Sequence, residues 1–302
     1  SMIYKDLIPD CDDIVVDRIR NAGAVILGKT NTPEFGHSGT TENLLGGPCR
    51  NPWNIEYTSG GSSGGAASGL ASGMHPIAQG SAGGGSIRIP ASFTGLFGIK
   101  PSQGRIPRYG GYGRPAANHF SQSGPLSRTV LDSANLLQVL SGVDSRDPTS
   151  IRETIPNFTR DLKQGIKGLR IGWSADLGYA GVDQEVLTIT EQSAKSLATL
   201  GAEIEEVNLL LEDPFEAFYD VFSTATYTSY GHLLDDRITD FTDYVRNTLQ
   251  HAAGLSAADL STSLLRVDQL RRQMEIFFDD YDLLLTPTMA VPAFPIEKRP
   301  TL

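Results

Sequence analysis

The sequence predicts an α/β fold: a mixed, largely parallel sheet flanked by helices. Two patterns carry this. Between residues 169 and 207 a short apolar run, a long amphipathic helix and a second apolar run follow one another. That βαβ rhythm belongs to parallel strands joined by a crossover helix. Glycine is also unevenly placed: of 32 in 302 residues, 16 fall between Gly60 and Gly113. They are interleaved with Ala66, Leu70, Ile77, Ile87, Ile89, Phe93, Leu96 and Ile99. A flexible Gly/Ser linker lacks such residues, so the stretch reads as folded loops and short helices crowded around something.

The elements follow in order. Residues 12–22 predict a helix, with Ile14, Val15, Ile19 and Ala22 on one face and Gly23 as its stop. Residues 24–27, all apolar and bounded by glycines, predict a buried strand. Residues 65–72 predict a small-residue helix and 74–79 a strand, while Pro90 opens a short helix reaching Thr94. Residues 129–140 predict an amphipathic helix. The polar loop 143–168 marks a sub-domain seam. Strands are predicted at 169–173, 202–207 and 283–286, a helix at 183–200, and further helices over 214–279.

Composition narrows the function classes. Thirty-five acidic against 25 basic residues give a net charge of −10, and no basic patch stands out, which argues against direct nucleic-acid binding. The apolar runs fall far short of the roughly 20 residues of a membrane span, and no secretory signal opens the chain. Two cysteines, Cys11 and Cys49, make neither a disulfide framework nor a zinc set and fit a cytoplasmic location. The five histidines show no metal-ligand spacing.

Three motifs invite chemistry. Residues 23–30 match the G-x-x-x-x-G-K-[ST] phosphate loop letter for letter. Its four middle residues are Ala, Val, Ile and Leu, which belong in a strand, and Pro33 blocks the helix that must follow. Gly60-Gly61-Ser62-Ser63-Gly64 fits the G-x-S-x-G nucleophile elbow, but residues 54–59 make a poor preceding strand. Its triad would also need a later acid and histidine, and His232 and His251 each fall in a predicted helical region. Third, Gly83, Gly84 and Gly85 immediately precede Ser86, with a helix to follow. Consecutive glycines let backbone N–H groups converge on one anion, which suits an acyl-transfer nucleophile and its oxyanion hole. A plain strand-to-helix turn has the same signature.

Taken together the two serine-glycine motifs, with Ser62 and Ser86 24 residues apart, resemble the amidase signature family. The flanks extend the likeness: residues 21–35 before them, Gly95-Leu96-Phe97-Gly98-Ile99-Lys100-Pro101 after them, and Asp282-Leu283-Leu284-Leu285-Thr286-Pro287-Thr288 near the end. The resemblance spans nearly the whole chain. It implies an amidohydrolase that cleaves a carboxamide C–N bond through a Ser–Ser–Lys triad. Ser86 then matches the nucleophile, and Ser62, after a cis peptide bond from Gly61, matches the bridging serine. The N–H groups of Gly83, Gly84, Gly85 and Ser86 become the oxyanion hole, with Ser63 and Arg88 as supports. It implies a small-molecule amide substrate and no metal or organic cofactor. An A-type subunit of a glutamine-dependent amidotransferase is the alternative, as is an inactive relative keeping only the fold, and a homodimer is compatible with either.

Two departures stand out. The family's lysine lies about seventy residues before the bridging serine, and counting back from Ser62 runs off the N-terminus. Lys5 is only 57 residues upstream, and Lys29 and Lys100 sit in motifs where structural roles are expected. Ala82 also replaces an acid that the family usually carries in the glycine loop. The expectation is a single amidase-signature domain incomplete at both ends, with its catalytic core over about residues 20–130 and the lysine upstream. Tyr109, Tyr112 and Phe120, and the aromatic helix at 215–230, are candidates for an acyl pocket or for ordinary core.

Overall fold

A computed structural model describes residues 1–109 and 120–298. The chain divides into two compact units. The first comprises Ser1–Asp161, Ala225–Ala253 and Ala293–Leu302, and the second Leu162–Thr224 and Gly254–Pro292. The first boundary thus falls within the polar loop 143–168.

The first unit opens with helix α1 (Ile14–Asn21). Asp13 caps it by accepting the Val15 N–H at 3.1 Å, and Ile14 and Val15 are buried. Arg18 donates to the carbonyls of Leu140 and Gly142, which ties α1 to the chain at residues 140–142. Strands β1 (Arg50–Asn51) and β2 (Asn54–Thr58) form an antiparallel pair. Helix α2 (Gly64–Ala71), strand β3 (Ile77–Ala82), helix α3 (Arg88–Thr94), strand β4 (Phe97–Gly98), strand β5 (Gln122–Ser127) and helix α4 (Val130–Leu140) complete this part.

β3, β5 and β4 form an antiparallel sheet with β5 in the centre. The β3–β5 ladder runs from Ile77 opposite Ser127 to Ala82 opposite Gln122. Ala66, Leu70, Ala82, Ile87, Ala91 and Leu126 form the core that joins α2, β3, α3 and β5. At about 25 cal/mol per Å2 of apolar area removed from water, such clusters supply the main favourable term in folding.

In the second unit, strand β6 (Arg170–Trp173) lies between β7 (Glu203–Glu206) and β8 (Leu283–Leu285), parallel to both. Helix α5 (Gln184–Ala198) joins β6 to β7 and is capped by Asp183, which accepts the Glu185 N–H at 2.9 Å. Helix α6 (Phe215–Tyr230) belongs to this unit up to Thr224, and its last turns belong to the first unit, with α7 (Leu234–Arg237) and α8 (Asp243–Ala253). Helix α9 (Ala257–Asp280) starts at a capping box made by Ser256 and Asp259.

The α/β architecture matches the expectation, and among the described residues parallel pairing occurs in the second unit, around β6, while the ladders of the first unit are antiparallel. Three local expectations change. Residues 24–27 form no strand: Val25 is 83% exposed and Leu27 74%. A single extended run carries no ladder without a neighbour, and no described strand lies alongside it. The strand expected at 74–79 runs three residues later, with Met74 exposed. Residues 54–58, read as a poor strand, form β2, which is exposed along most of its length. It is an edge ribbon, unlike the buried strand that a nucleophile elbow requires.

Candidate active site

The site is built where the two serine-glycine motifs meet. β2 delivers the chain to Gly60, whose φ of +78° suits glycine. The Gly60 N–H donates to Thr58 Oγ1 at 3.0 Å, and its carbonyl accepts from Thr41 Oγ1 at 2.8 Å. The Gly61–Ser62 peptide bond is cis. Ser62 and Ser63 are buried, and α2 starts directly behind them.

Glycine is required here by contact. A Cβ on Gly61 would lie 2.7 Å from the carbonyl carbon and oxygen of Thr40. One on Gly65 would lie 2.3 Å from the Asn31 nitrogen, and one on Gly60 2.9 Å from Pro90 Cα. Backbone atoms cannot swing aside as a flexible side chain can, so the loop and its surroundings close only without side chains at these places.

The second motif arrives on β3 and turns into α3. Gly85 has φ +119°, a conformation strained for any other residue. Ser86 is half-buried, two residues before α3 begins. Among the described residues, none of the N–H groups of Gly83, Gly84, Gly85 and Ser86 donates to a protein acceptor.

Ser63 joins the motifs. Its N–H donates to the Ser86 carbonyl at 3.1 Å. Its hydroxyl accepts the Ser81 N–H at 3.3 Å, and a Cβ on Gly80 would lie 2.7 Å from that hydroxyl oxygen. Ser63 and Ser86, 23 residues apart in sequence, therefore lie side by side, with Ser62 next to Ser63 in the chain. Arg88 is exposed on the first turn of α3. Its charge, added to the larger effect of burial, lowers the Lys100 pKa. Ala82 is buried among the side chains of the Leu126 cluster, a place that accepts a methyl group readily.

The lysines take no part in this geometry. Lys5 and Lys29 are exposed, and the Lys100 ammonium donates to the Pro101 carbonyl at 3.1 Å. Among the described residues no hydrogen bond joins a lysine to Ser62 or Ser86, and no group of three His, Cys, Asp or Glu is placed to hold a metal. Of the candidate pocket aromatics, Tyr112 lies outside the described residues. The Tyr109 carbonyl accepts the Ile14 N–H at 3.2 Å, a structural tie. On α6, Phe215 stacks on Tyr219 and Phe218 on Phe222, whereas Tyr230 stacks on Phe35 with ring centroids 4.2 Å apart.

Residues that the motifs did not single out also reach this place. A Cβ on Gly36 would lie 3.4 Å from Ser62 Oγ. Next to it, burial lowers the His37 pKa to about 4, so the ring is neutral at pH 7. His37 Nε2 lies 2.8 Å from Thr226 Oγ1. The tract 31–35 belongs to the flank that resembles the family, which was the available signal. Nothing local in the sequence ties residue 37 to residue 226.

Residues 1–301 match the amidase family. The chain belongs to that family. It is 38% identical over 299 residues to an acylamidase of Rhodococcus erythropolis, covering 97% of this chain and 61% of the relative. It is 35% identical to the A-type subunit of the glutamyl-tRNA(Gln) amidotransferase of Pediococcus pentosaceus, covering 98% of this chain and 66% of that relative. The solved structure of a bacterial aryl acylamidase of the amidase signature family matches with a TM-score of 0.88 at 35% identity. That match covers 95% of this chain and 60% of the acylamidase. The chain thus spans less than two thirds of the relatives' length. Among the described residues of this family member, no helix is long and apolar enough to cross a membrane.

Proposed function

We propose that the chain carries the acylation centre of a serine amidohydrolase that cleaves a carboxamide C–N bond in the cytoplasm. The observation that carries this is the bond from the Ser63 N–H to the Ser86 carbonyl, which holds the two serine-glycine motifs together beside the cis Gly61–Ser62 peptide. Ser86 is the nucleophile. Its Oγ adds to the carboxamide carbon while its proton passes to Ser62 Oγ, whose own proton passes to a neutral lysine amine. The unspent N–H groups of Gly83, Gly84, Gly85 and Ser86 receive the oxyanion, where preorganised donors stabilise charge as it develops. Collapse of the tetrahedral intermediate breaks the C–N bond, and the leaving amine takes the proton back by the same route. Water then cleaves the Ser86 ester and regenerates the hydroxyl. The lysine belongs to the family resemblance, and no lysine among the described residues fills the role.

The experiment is covalent labelling of the full-length, folded protein with an alkyl fluorophosphonate, followed by peptide mapping. Adduct on Ser86, absent in Ser86→Ala, supports the reading. No adduct on Ser86 overturns it, and adduct on Ser62 with dependence on a histidine would favour the elbow reading instead. The 35% identity to the A-type component of an amidotransferase supports a second reading, transfer of ammonia from glutamine. Ammonia-dependent transfer, assayed with glutamine, separates that from hydrolysis.

A further inference from the structure

We propose that Glu34 is a positioning residue for Ser62, acting through the segment 34–42 that it anchors; this rests on the assignment of Ser62 and Ser86 above. The segment wraps the Ser62 peptide from one side. Gly36 stands against Ser62 Oγ, at 3.4 Å from an ideal Cβ. The carbonyls of Ser38 and Thr40 lie 2.9 and 2.7 Å from where a Gly61 Cβ would be. Whatever fixes this segment therefore fixes the peptide that carries Ser62.

Both ends of the segment are tied to one place more than 200 residues away in sequence. The Glu34 carboxylate is buried, 2% exposed, and its Oε2 accepts from the Thr242 N–H at 2.7 Å and the Thr242 hydroxyl at 2.9 Å. Its other oxygen, Oε1, is buried with no protein partner among the described residues, so the carboxylate's hold runs through Thr242. The Glu34 N–H donates to the Tyr244 hydroxyl at 2.6 Å, and that hydroxyl donates to the Glu42 carbonyl at 2.8 Å. One tyrosine thus closes the segment at residues 34 and 42. Between these ties, Phe35 is held at φ +52° and stacks on Tyr230.

Buried hydrogen bonds to a carboxylate are among the stronger ones, so the Thr242 pair resists displacement of Gly36. Loosening it lets Ser62 drift from the reacting hydroxyl, and small misplacements of a catalytic group cost rate steeply. Glu34 is hydrogen-bonded to Thr242 and Tyr244, and it acts on Ser62 only through the segment it anchors.

The test uses the full-length, folded protein and the variants Glu34→Ala, Glu34→Gln and Tyr244→Phe. Two readouts are taken: amide hydrogen exchange in the peptide spanning 59–66, and fluorophosphonate labelling of Ser86 resolved into binding and inactivation steps. Glu34→Ala is expected to raise exchange at 59–66 about tenfold and to lower the inactivation rate about tenfold, with inhibitor binding unchanged within twofold. Gln keeps an acceptor for Thr242 and is expected to restore most of that rate, and Tyr244→Phe to lower it about threefold. A merely structural role would give parallel losses in binding, inactivation and β3–β5 protection, with no rescue by Gln, and that pattern overturns the proposal. So does a Glu34→Ala variant with both readouts within twofold of the parent. If Glu34→Ala does not fold, Tyr244→Phe decides by the same criteria. If the parent itself shows no Ser86 adduct, the assignment of Ser86 has failed. The exchange arm then still judges the anchor, and unchanged exchange at 59–66 overturns it.

Discussion

The two units hold their strands together differently, and the contrast shows where close backbone packing constrains the sequence. In the second unit β6 is flanked by parallel neighbours and closed by side chains: a Cβ on Gly172 would meet the Phe277 ring at 2.7 Å. Its helices begin at ordinary caps, Asp183 and Ser256. In the first unit, the stretch around Ser62 is closed by backbone against backbone. Glycines at 60, 61 and 65 admit Pro90, Thr40 and Asn31 to distances that a side chain forbids. Generic patterning suffices for the first kind of packing. The second kind tolerates few substitutions, because no rotamer change can relieve a clash with the main chain.

The sharpest way to break the contrast is to add one methyl group to each unit. Gly61→Ala is expected to cost about 3 kcal/mol or more, since its Cβ falls on Thr40. Gly181→Ala, in the second unit, meets nothing within 4 Å and is expected to stay within about 0.5 kcal/mol. Chemical denaturation of the two variants reads the difference directly. Equal costs would mean that the backbone contacts at Gly61 are not the constraint.

Acid should also strike the first unit selectively. Burial holds the folded His37 pKa at about 4, below the ordinary 6.5. Above pH 6.5 the ring is neutral in both states and contributes no pH dependence. As pH falls from 6.5 towards 4 the unfolded chain binds a proton that the folded chain refuses, so stability declines, by at most about 3 kcal/mol. His37→Gln is expected to remove that decline, measured as the unfolding free energy at pH 7 and pH 4.5. An unchanged slope would show that His37 is not its source. The smaller counterpart in the second unit is Ser256→Ala, which removes an N-cap and is expected to cost about 1 kcal/mol. Urea midpoints check it.

The same contrast decides what could be read in advance. The second unit was legible because its strands and amphipathic helices follow apolar periodicity, from Leu169 to Val207 and again at Leu283. In the first unit periodicity failed in both directions. β5, the central strand, reads Gln-Ser-Gly-Pro-Leu-Ser and has no apolar alternation, because its neighbours admit small residues: a Cβ on Gly124 would lie 2.0 Å from the Ile99 carbonyl. Residues 24–27 have the apolar run of a strand without a partner to pair with among the described residues. Ser62, Ser63 and Ser86 are nevertheless marked in the sequence, since glycine placement and motif order are properties of the sequence itself, and the structure brings the two motifs together through the Ser63 N–H to Ser86 carbonyl bond. Glu34 and Thr242 were not linked, because 208 residues separate a contact that only the fold creates.

One covalent label decides whether the two serine-glycine motifs form one acylation centre with Ser86 as nucleophile. It is read by mass mapping of the fluorophosphonate-treated, full-length folded protein. A single adduct is expected on the peptide bearing Ser86, abolished in Ser86→Ala and slowed at least tenfold in Ser62→Ala. Folded protein without adduct on Ser86, or labelled at Ser62 instead, rules out Ser86 as the nucleophile.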